Sequence, residues 1–317
     1  MEDKLRTEKS NITTMMEFIL LGFSDILNFQ WILLGIFLVL YLTILMCNSV
    51  IVLITRIDPT LQTPMYFFLN HFSILEICYV NDTISRMLTD LLNQKGTFLS
   101  CVACTTQMYL ALLFGGLECL FLAVMAYDSY VAICNPLHYG LIKSPQVCVQ
   151  LVTASSVSGV PVVIGQTWPV FSLPFCRSTT INHFFCDLPP VFKLACGDAF
   201  VNEIAVYAVA VLFIMVPFLL TGVSYGKIIS NILKSPSARG RAEVFSTCSF
   251  HLTVVVLFYG TAPTTYLQPK PNPSEDTGKL ISPFYTVWIS TLNPNIFTLR
   301  NKDITVALRK LLSKLSI

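Results

Sequence analysis

Charge is what this sequence has least of. Of its 317 residues, 12% are charged and 54% hydrophobic, against roughly 25% charged in a soluble domain. A soluble chain this poor in charge lacks the polar surface that keeps it dispersed, so lipid is predicted to be its main solvent. The formal net charge of +2 is too small to draw a polyanion, which excludes a nucleic-acid partner. A cleavable signal peptide is also missing. Met1 to Ser10 is polar and charged, and the short apolar run Phe18 to Phe23 stops at Ser24-Asp25 with no small-residue cleavage site. The first long apolar segment is therefore expected to act as an uncleaved anchor. The closing Leu315-Ser316-Ile317 carries no lipidation motif. No run of alternating strands of about ten residues suggests a β-barrel. No inverted repeat relates the two halves, which weakens a transporter reading. Ser246 and His251 lie on one predicted helix without a positioned nucleophile, base and orienter, so no enzyme is expected.

What is present is a set of long apolar segments. A membrane-crossing helix needs about 20 mostly apolar residues. Seven segments qualify: Gln30–Ile54, Met65–Ser85, Cys101–Tyr127, Cys148–Trp168, Val201–Ser224, Phe245–Tyr266 and Leu280–Leu299. The predicted fold is an all-α membrane protein, a seven-transmembrane-helix bundle forming one domain over residues 1–317. With the N-terminus outside, inner loops hold Arg56, Lys143, Lys227, Lys234, Arg239 and Arg241, and the tail adds Arg300, Lys302, Arg309, Lys310 and Lys314. Outer loops hold Arg86, Lys95, Arg177, Lys193, Lys270 and Lys279. Leaving the N-terminal tail aside, the bias of 11 against 6 is moderate and follows the positive-inside rule. It makes residues 1–29 an extracellular tail and 300–317 a cytoplasmic one. The sequon Asn11-Ile12-Thr13 is then on the glycosylated side, whereas Asn81-Asp82-Thr83 falls within or at the lip of the second span, too near the bilayer for modification. Ile304, Leu308, Leu311, Leu312 and Leu315 recur at helical spacing among Arg309, Lys310 and Lys314. That pattern predicts a short amphipathic helix lying on the inner leaflet of the bilayer.

Five of the 11 cysteines fall on the outer side, Cys101, Cys104, Cys176, Cys186 and Cys196, where an oxidising compartment favours pairing. His183 beside Cys186 could suggest a metal pair, but a disulfide is the stronger expectation there. Glu76 and Glu118 stand inside apolar spans, where carboxylates are costly and by default functional.

The third span ends Met125-Ala126-Tyr127-Asp128-Ser129-Tyr130-Val131-Ala132-Ile133-Cys134-Asn135-Pro136-Leu137-His138-Tyr139. This stretch resembles the most diagnostic motif of olfactory receptors, a branch of the rhodopsin-like G-protein-coupled receptors. Pro64-Met65-Tyr66-Phe67-Phe68-Leu69 resembles the opening of that family's second helix. Ser237-Ala238-Arg239-Gly240-Arg241, with Phe245-Ser246-Thr247-Cys248, His251 and Phe258-Tyr259-Gly260, is similar to its sixth-helix signature. Leu292-Asn293-Pro294 through Leu299-Arg300-Asn301 matches its seventh.

The resemblance implies disulfides Cys104–Cys186 and Cys176–Cys196, leaving Cys101, one turn from Cys104, as a competing partner. It implies that Glu76 and Glu118 face each other. Two such acids must share a proton or bind a cation. One outcome is a sodium ion; the other is an ion-free polar knot with Asn48 and Asn293. No other cofactor is required. It implies a ligand pocket between the outer halves of spans three, five, six and seven, offering Met108, Leu112, Gly115, Tyr207, Tyr259, Tyr266 and Thr286. Ala111 and Leu112 leave no acid there for an amine, so a small, largely apolar organic ligand fits such a pocket best. It also implies an inner switch of Asp128, Ser129, Tyr130, His251, Asn293, Pro294 and Phe297.

The implied function is an odorant receptor in the plasma membrane whose partners are an odorant, a stimulatory heterotrimeric G protein and the lipid bilayer. The sequence departs from the family at its signalling end. Asp128-Ser129-Tyr130 stands where the family has Asp-Arg-Tyr, and serine has neither arginine's charge nor its reach. Phe297 replaces a tyrosine, Glu243 a lysine, Cys47 a glycine, and Ser85 and Ser290 prolines. Weakened or unusual coupling is the favoured expectation, loss of signalling its competitor. A receptor for an endogenous metabolite is the alternative function; a channel or transporter would need a continuous polar path that two glutamates do not make.

Overall fold

A computed structural model describes residues 17–22, 29–93, 97–136, 139, 144–175, 179–192, 194–195, 200–234, 248–249, 252–260, 287–294 and 302–315. In chain order these form β1 (Glu17–Leu20), α1 (Gln30–Ile57), α2 (Pro64–Leu92), β2 (Thr97–Ser100), α3 (Cys101–Cys134), α4 (Pro145–Phe171), β3 (Thr180–Ile181), α5 (Leu188–Phe192) and α6 (Phe200–Lys234). Helical residues 252–260 (α7) and 287–294 (α8) follow, then α9 (Lys302–Leu315). The first five predicted spans all correspond to helices, each longer than its apolar run. A helix satisfies its own backbone and continues past the lipid until a cap ends it.

The local signals are conventional. Pro64 and Pro145 open α2 and α4 at positions where no amide hydrogen is needed. Ser100 caps α3, its hydroxyl accepting the Ala103 amide at 3.2 Å. Between α1 and α2, Asp58 closes a 3-10 turn by accepting the Thr60 amide at 2.9 Å.

On α1, Phe37, Ile44 and Ile51 repeat every seven residues and are fully buried, so one stripe faces the bundle. Trp31, Val39 and Met46 point outward, each more than 60% exposed. Trp168 on α4 and Leu212 and Leu219 on α6 do the same. Large apolar faces of this kind mark a surface built to meet something other than water. Four of the described helices are long and apolar enough to cross a membrane: Gln30–Ile57, Cys101–Cys134, Gln146–Phe171 and Tyr207–Lys234. In α2, Glu76, Asp82, Arg86 and Asp90 dilute the apolar run.

Packing is organised around α3. Phe37 and Ile44 of α1 meet Val80, Ile84 and Met87 of α2 and Val287 of α8 in one cluster. Nearer the other end, Ile51 and Ile54 meet Phe68 and Leu69 with Ile304 and Ala307 of α9. Cys119, Phe121 and Leu122 of α3 pack with Phe72, Val254, Val255 and Tyr259. At Gly159 of α4 a Cβ would touch Leu117 and Leu113 of α3 at 3.4 and 3.5 Å, so a small residue there permits the close approach.

One element is absent from the sequence reading. Strands β2, β1 and β3 form a three-stranded sheet with β1 in the middle, antiparallel to β2 (Glu17↔Ser100 to Leu20↔Thr97) and parallel to β3 (Ile19↔Thr180, Leu20↔Ile181). Phe18 and Leu20 alternate into the interior, both fully buried, and Phe18 meets Phe175 edge-on at 5.6 Å. Gly22 then turns the chain at φ +50°, a left-handed conformation that suits glycine.

Candidate functional site

The N-terminal end of α3 is held by Cys104–Cys186, whose Cα atoms are 5.4 Å apart. Cys101 is a buried free thiol, so in this structure it does not compete. Gln107, one turn further along α3, reinforces the tether. Its Oε1 accepts the Cys186 amide at 3.3 Å and its Nε2 donates to the Asp82 carbonyl at 3.4 Å. Cys176 and Cys196 lie outside the described residues, but their neighbours Phe175 and Ala195 form an antiparallel backbone bridge. Beyond the disulfide, the Asp187 carboxylate accepts the Leu188 amide at 2.8 Å at the start of α5. Burial pushes that carboxyl up from 3.8 to about 6, the amide bond opposing the shift. His183 keeps its Nδ1 within 3.2 Å of the Phe185 carbonyl and makes no metal pair with the disulfide-bonded Cys186.

Beneath this cover, Met108 is buried against Cys104, Cys186 and Val170, and Leu112 packs on the same cluster. A Cβ at Gly115 would meet nothing within 4 Å; Tyr207 is half-buried. Tyr259 lies deeper. Its hydroxyl donates to the Cys119 carbonyl at 3.0 Å, tying α7 to α3. Tyr266 and Thr286 lie outside the described residues. A cavity of about 260 Å³ lies away from these candidates, between Ile54, Ile57, Asp58, Pro59, Ala307, Lys310 and Leu311.

At mid-bundle, Glu76 is fully buried and Glu118 nearly so. Asn293 Nδ2 donates to Glu76 Oε1 at 2.6 Å, Ser290 also bonds Glu76, and Glu118 lies near enough to Glu76 for their charges to repel. Glu76 Oε2, Glu118 Oε1 and the Ser73 hydroxyl are buried without hydrogen-bond partners. Asn48 is not in this knot: its amide donates to the Ile44 carbonyl of its own helix at 3.1 Å. Among the described residues no group of three or more His, Cys, Asp and Glu side chains is arranged to hold a metal.

At the C-terminal end of α3, Asp128 is buried with Oδ1 unpartnered. Ser129 donates back to the Met125 carbonyl at 2.9 Å, a bond within its own helix that leaves nothing to reach toward another. The Lys227 ammonium lies 5.3 Å from the centre of the Tyr130 ring, a cation–π contact that links α6 to α3. His251 and Phe297 lie outside the described residues. Asn293 is placed by its bond to Glu76, and Pro294 is buried beside it.

Sequence reasoning missed three linkers. Gln107 is one and Lys227 another; the third is Tyr66, whose hydroxyl donates to Asp303 of α9 at 2.9 Å. A single tyrosine inside an apolar motif and an acid opening the last helix carry no joint signal along the chain. Asn81 uses its amide on the Ile77 carbonyl at 2.7 Å and accepts the Tyr41 hydroxyl at 2.6 Å, so this sequon is embedded in helix–helix bonding.

A polytopic helical bundle with a disulfide-tethered third helix, a covered outer end and buried acids at its centre defines a class, the membrane receptors. Residues 37–315 match the family model described as olfactory receptor. Over 95% of its length the chain is 64% identical to human Olfactory receptor 10AG1, covering 99% of that protein. It is 47% identical to human Olfactory receptor 10A7 and 45% to human Olfactory receptor 2G3, covering 96% and 98% of them. The chain belongs to the olfactory receptor family, and so is a multi-pass membrane receptor of sensory signalling and not an enzyme.

Proposed function

We propose that this protein is an odorant receptor of the plasma membrane, with seven spans and an extracellular N-terminus. It binds small, largely apolar organic molecules in the outer half of the bundle and activates a stimulatory heterotrimeric G protein. The observation that carries this reading is the 64% identity to an olfactory receptor over 95% of the chain. The buried, mostly apolar surroundings of Met108 and Leu112 under the disulfide-held cover support the ligand class. A ligand acts by binding one pre-existing arrangement of the inner face better than the other. Coupling is weak because Ser129 bonds only its own helix and gives the buried Asp128 no arginine beside it in the motif. The bridge between Phe175 and Ala195 supports a Cys176–Cys196 disulfide, and glycosylation falls on Asn11.

The test is ligand-driven cyclic AMP in cells across a chemically diverse odorant panel, with surface receptor measured in parallel. Wild type should give a small response that Ser129→Arg raises. A robust wild-type response unchanged by the substitution would overturn the weak-coupling reading. Surface-expressed receptor that binds nothing in the panel would count against the odorant reading.

For the acid pair, three buried oxygens without partners around Glu76 and Glu118 favour a bound sodium ion over the dry knot. Thermal stability should rise with sodium in wild type and not in Glu76→Gln; sodium insensitivity of both would leave the knot as the answer.

A further inference from the structure

The outer half of α2 carries a second polar group that the acid pair and the apolar pocket do not explain. Asp82, Arg86 and Asp90 follow one another at four-residue steps, so they line one side of the helix. Asp90 is 5% exposed. Its Oδ1 accepts the Thr97 hydroxyl at 2.6 Å and lies 3.7 Å from Arg86 Nε, an ion pair too long to be a hydrogen bond. The other atoms are stranded. Arg86 Nε and Nη2, Asp82 Oδ2 and Asp90 Oδ2 are all buried with no hydrogen-bond partner. These are two donors and two acceptors within two turns, and buried polar groups are nearly always satisfied.

Their surroundings place them at the ligand end. Gln107 joins the Asp82 carbonyl to the Cys186 amide, so the Asp82 end of the stripe lies beside the tethered end of α3. The turn at Gly22 lies over Asp90, where a glycine Cβ would sit 3.4 Å from the Asp90 Cβ. The turn after the N-terminal strand therefore covers Asp90.

We propose that Asp82, Arg86 and Asp90 form a polar subsite for the hydroxyl group of an aliphatic alcohol ligand. This rests on the reading that the outer bundle binds small organic molecules. The chemistry selects among functional groups because donors and acceptors alternate. A hydroxyl oxygen accepts from an Arg86 N–H while its hydrogen is donated to Asp82 Oδ2 or Asp90 Oδ2. An aldehyde or ketone answers only the donors. A carboxylate meets two aspartates, an alkylammonium answers only the acceptors and leaves the Arg86 donors unmet, and an alkane answers none of the four atoms. Sites that hydrogen-bond a ligand hydroxyl discriminate strongly against analogues lacking it.

The experiment measures thermal stabilisation of purified full-length receptor, which follows ligand affinity directly and needs no G protein. Chain-matched series from hexyl to decyl are compared as alcohol, aldehyde, carboxylic acid, amine and alkane. The expected result is that alcohols bind best, by roughly tenfold or more over the matched alkane, and that Arg86→Gln and Asp82→Asn each erase that advantage without weakening the alkane. Two variants on different residues guard against one failing to fold, and monodispersity of each is checked first. If both variants shift every congener equally, the stripe holds ordered water only and the proposal falls. If the receptor binds apolar or carbonyl members with no gain from a hydroxyl, the subsite is overturned while the receptor reading stands. If nothing in this series or in a wider odorant panel binds, both fail together.

Discussion

Replacing Asp187 by asparagine tests how a buried charge in the outer cover sets the receptor's response to pH. Asp187 is 6% exposed, and burial raises its carboxyl from 3.8 to about 6 against the opposing Leu188 amide bond. The unfolded chain ionises near the lower value and the folded chain near the higher. Between them the folded state holds more protons, so stability is greatest below about pH 4, falls as pH rises through this window, and is level above about pH 6. A shift of about two pH units corresponds to about 3 kcal/mol. Asparagine keeps an oxygen that can accept the Leu188 amide, now at 2.8 Å, and removes the charge. Thermal unfolding of wild type and Asp187→Asn in lipid nanodiscs from pH 4 to 8 should show equal stability at pH 4. The variant should gain, by up to about 3 kcal/mol, at pH 7. His183 lies in the same cover, buried against Phe185, so the difference between the two proteins carries the test. A variant less stable than wild type at pH 7, or a difference that does not change with pH, would refute the reasoning.

Cys104→Ser opens a bond joining residues 82 apart in sequence, a closure worth about 4–5 kcal/mol by chain entropy; surface expression should collapse, while Cys101→Ser, a free thiol, should leave it near normal. Phe18→Ala removes a fully buried ring from the central strand and should cost about 3–5 kcal/mol, read as faster hydrogen exchange in residues 97–100 and 180–181. Tyr66→Phe removes the bond to Asp303 and about 1 kcal/mol; hydrogen exchange in α9 should quicken, and unchanged exchange there would refute the anchor.

Much of the bundle was legible along the chain because lipid imposes a local rule: every crossing segment must be long, apolar and helical, and each such run announces itself. The family motifs were legible for the same reason, being contiguous words such as Pro64 to Leu69 or Met125 to Tyr139. The sheet was not. Glu17–Leu20 is four residues long, too short to signal a strand, and it becomes one only because Thr97–Ser100 and Thr180–Ile181 lie on either side of it. The polar knot was half legible. Glu76 stood out as an acid in an apolar helix, but Asn48, an equally conspicuous polar residue, turned to its own backbone while Asn293 crossed to the glutamate. Rotamer and helix rotation decide that choice, and hydropathy carries neither.

By itself, then, the sequence determined that the chain lives in lipid as helices and which family it resembles. These are properties of composition and of adjacent residues. The Cys104–Cys186 pairing was expected from the resemblance, but only the tertiary structure showed that Cys101 stays a free thiol, that Tyr66 anchors α9, and that Asp82, Arg86 and Asp90 carry buried atoms without hydrogen-bond partners near the turn at Gly22. Each of these depends on which residues distant in sequence come within a few ångströms, and that is set by how the helices pack around α3.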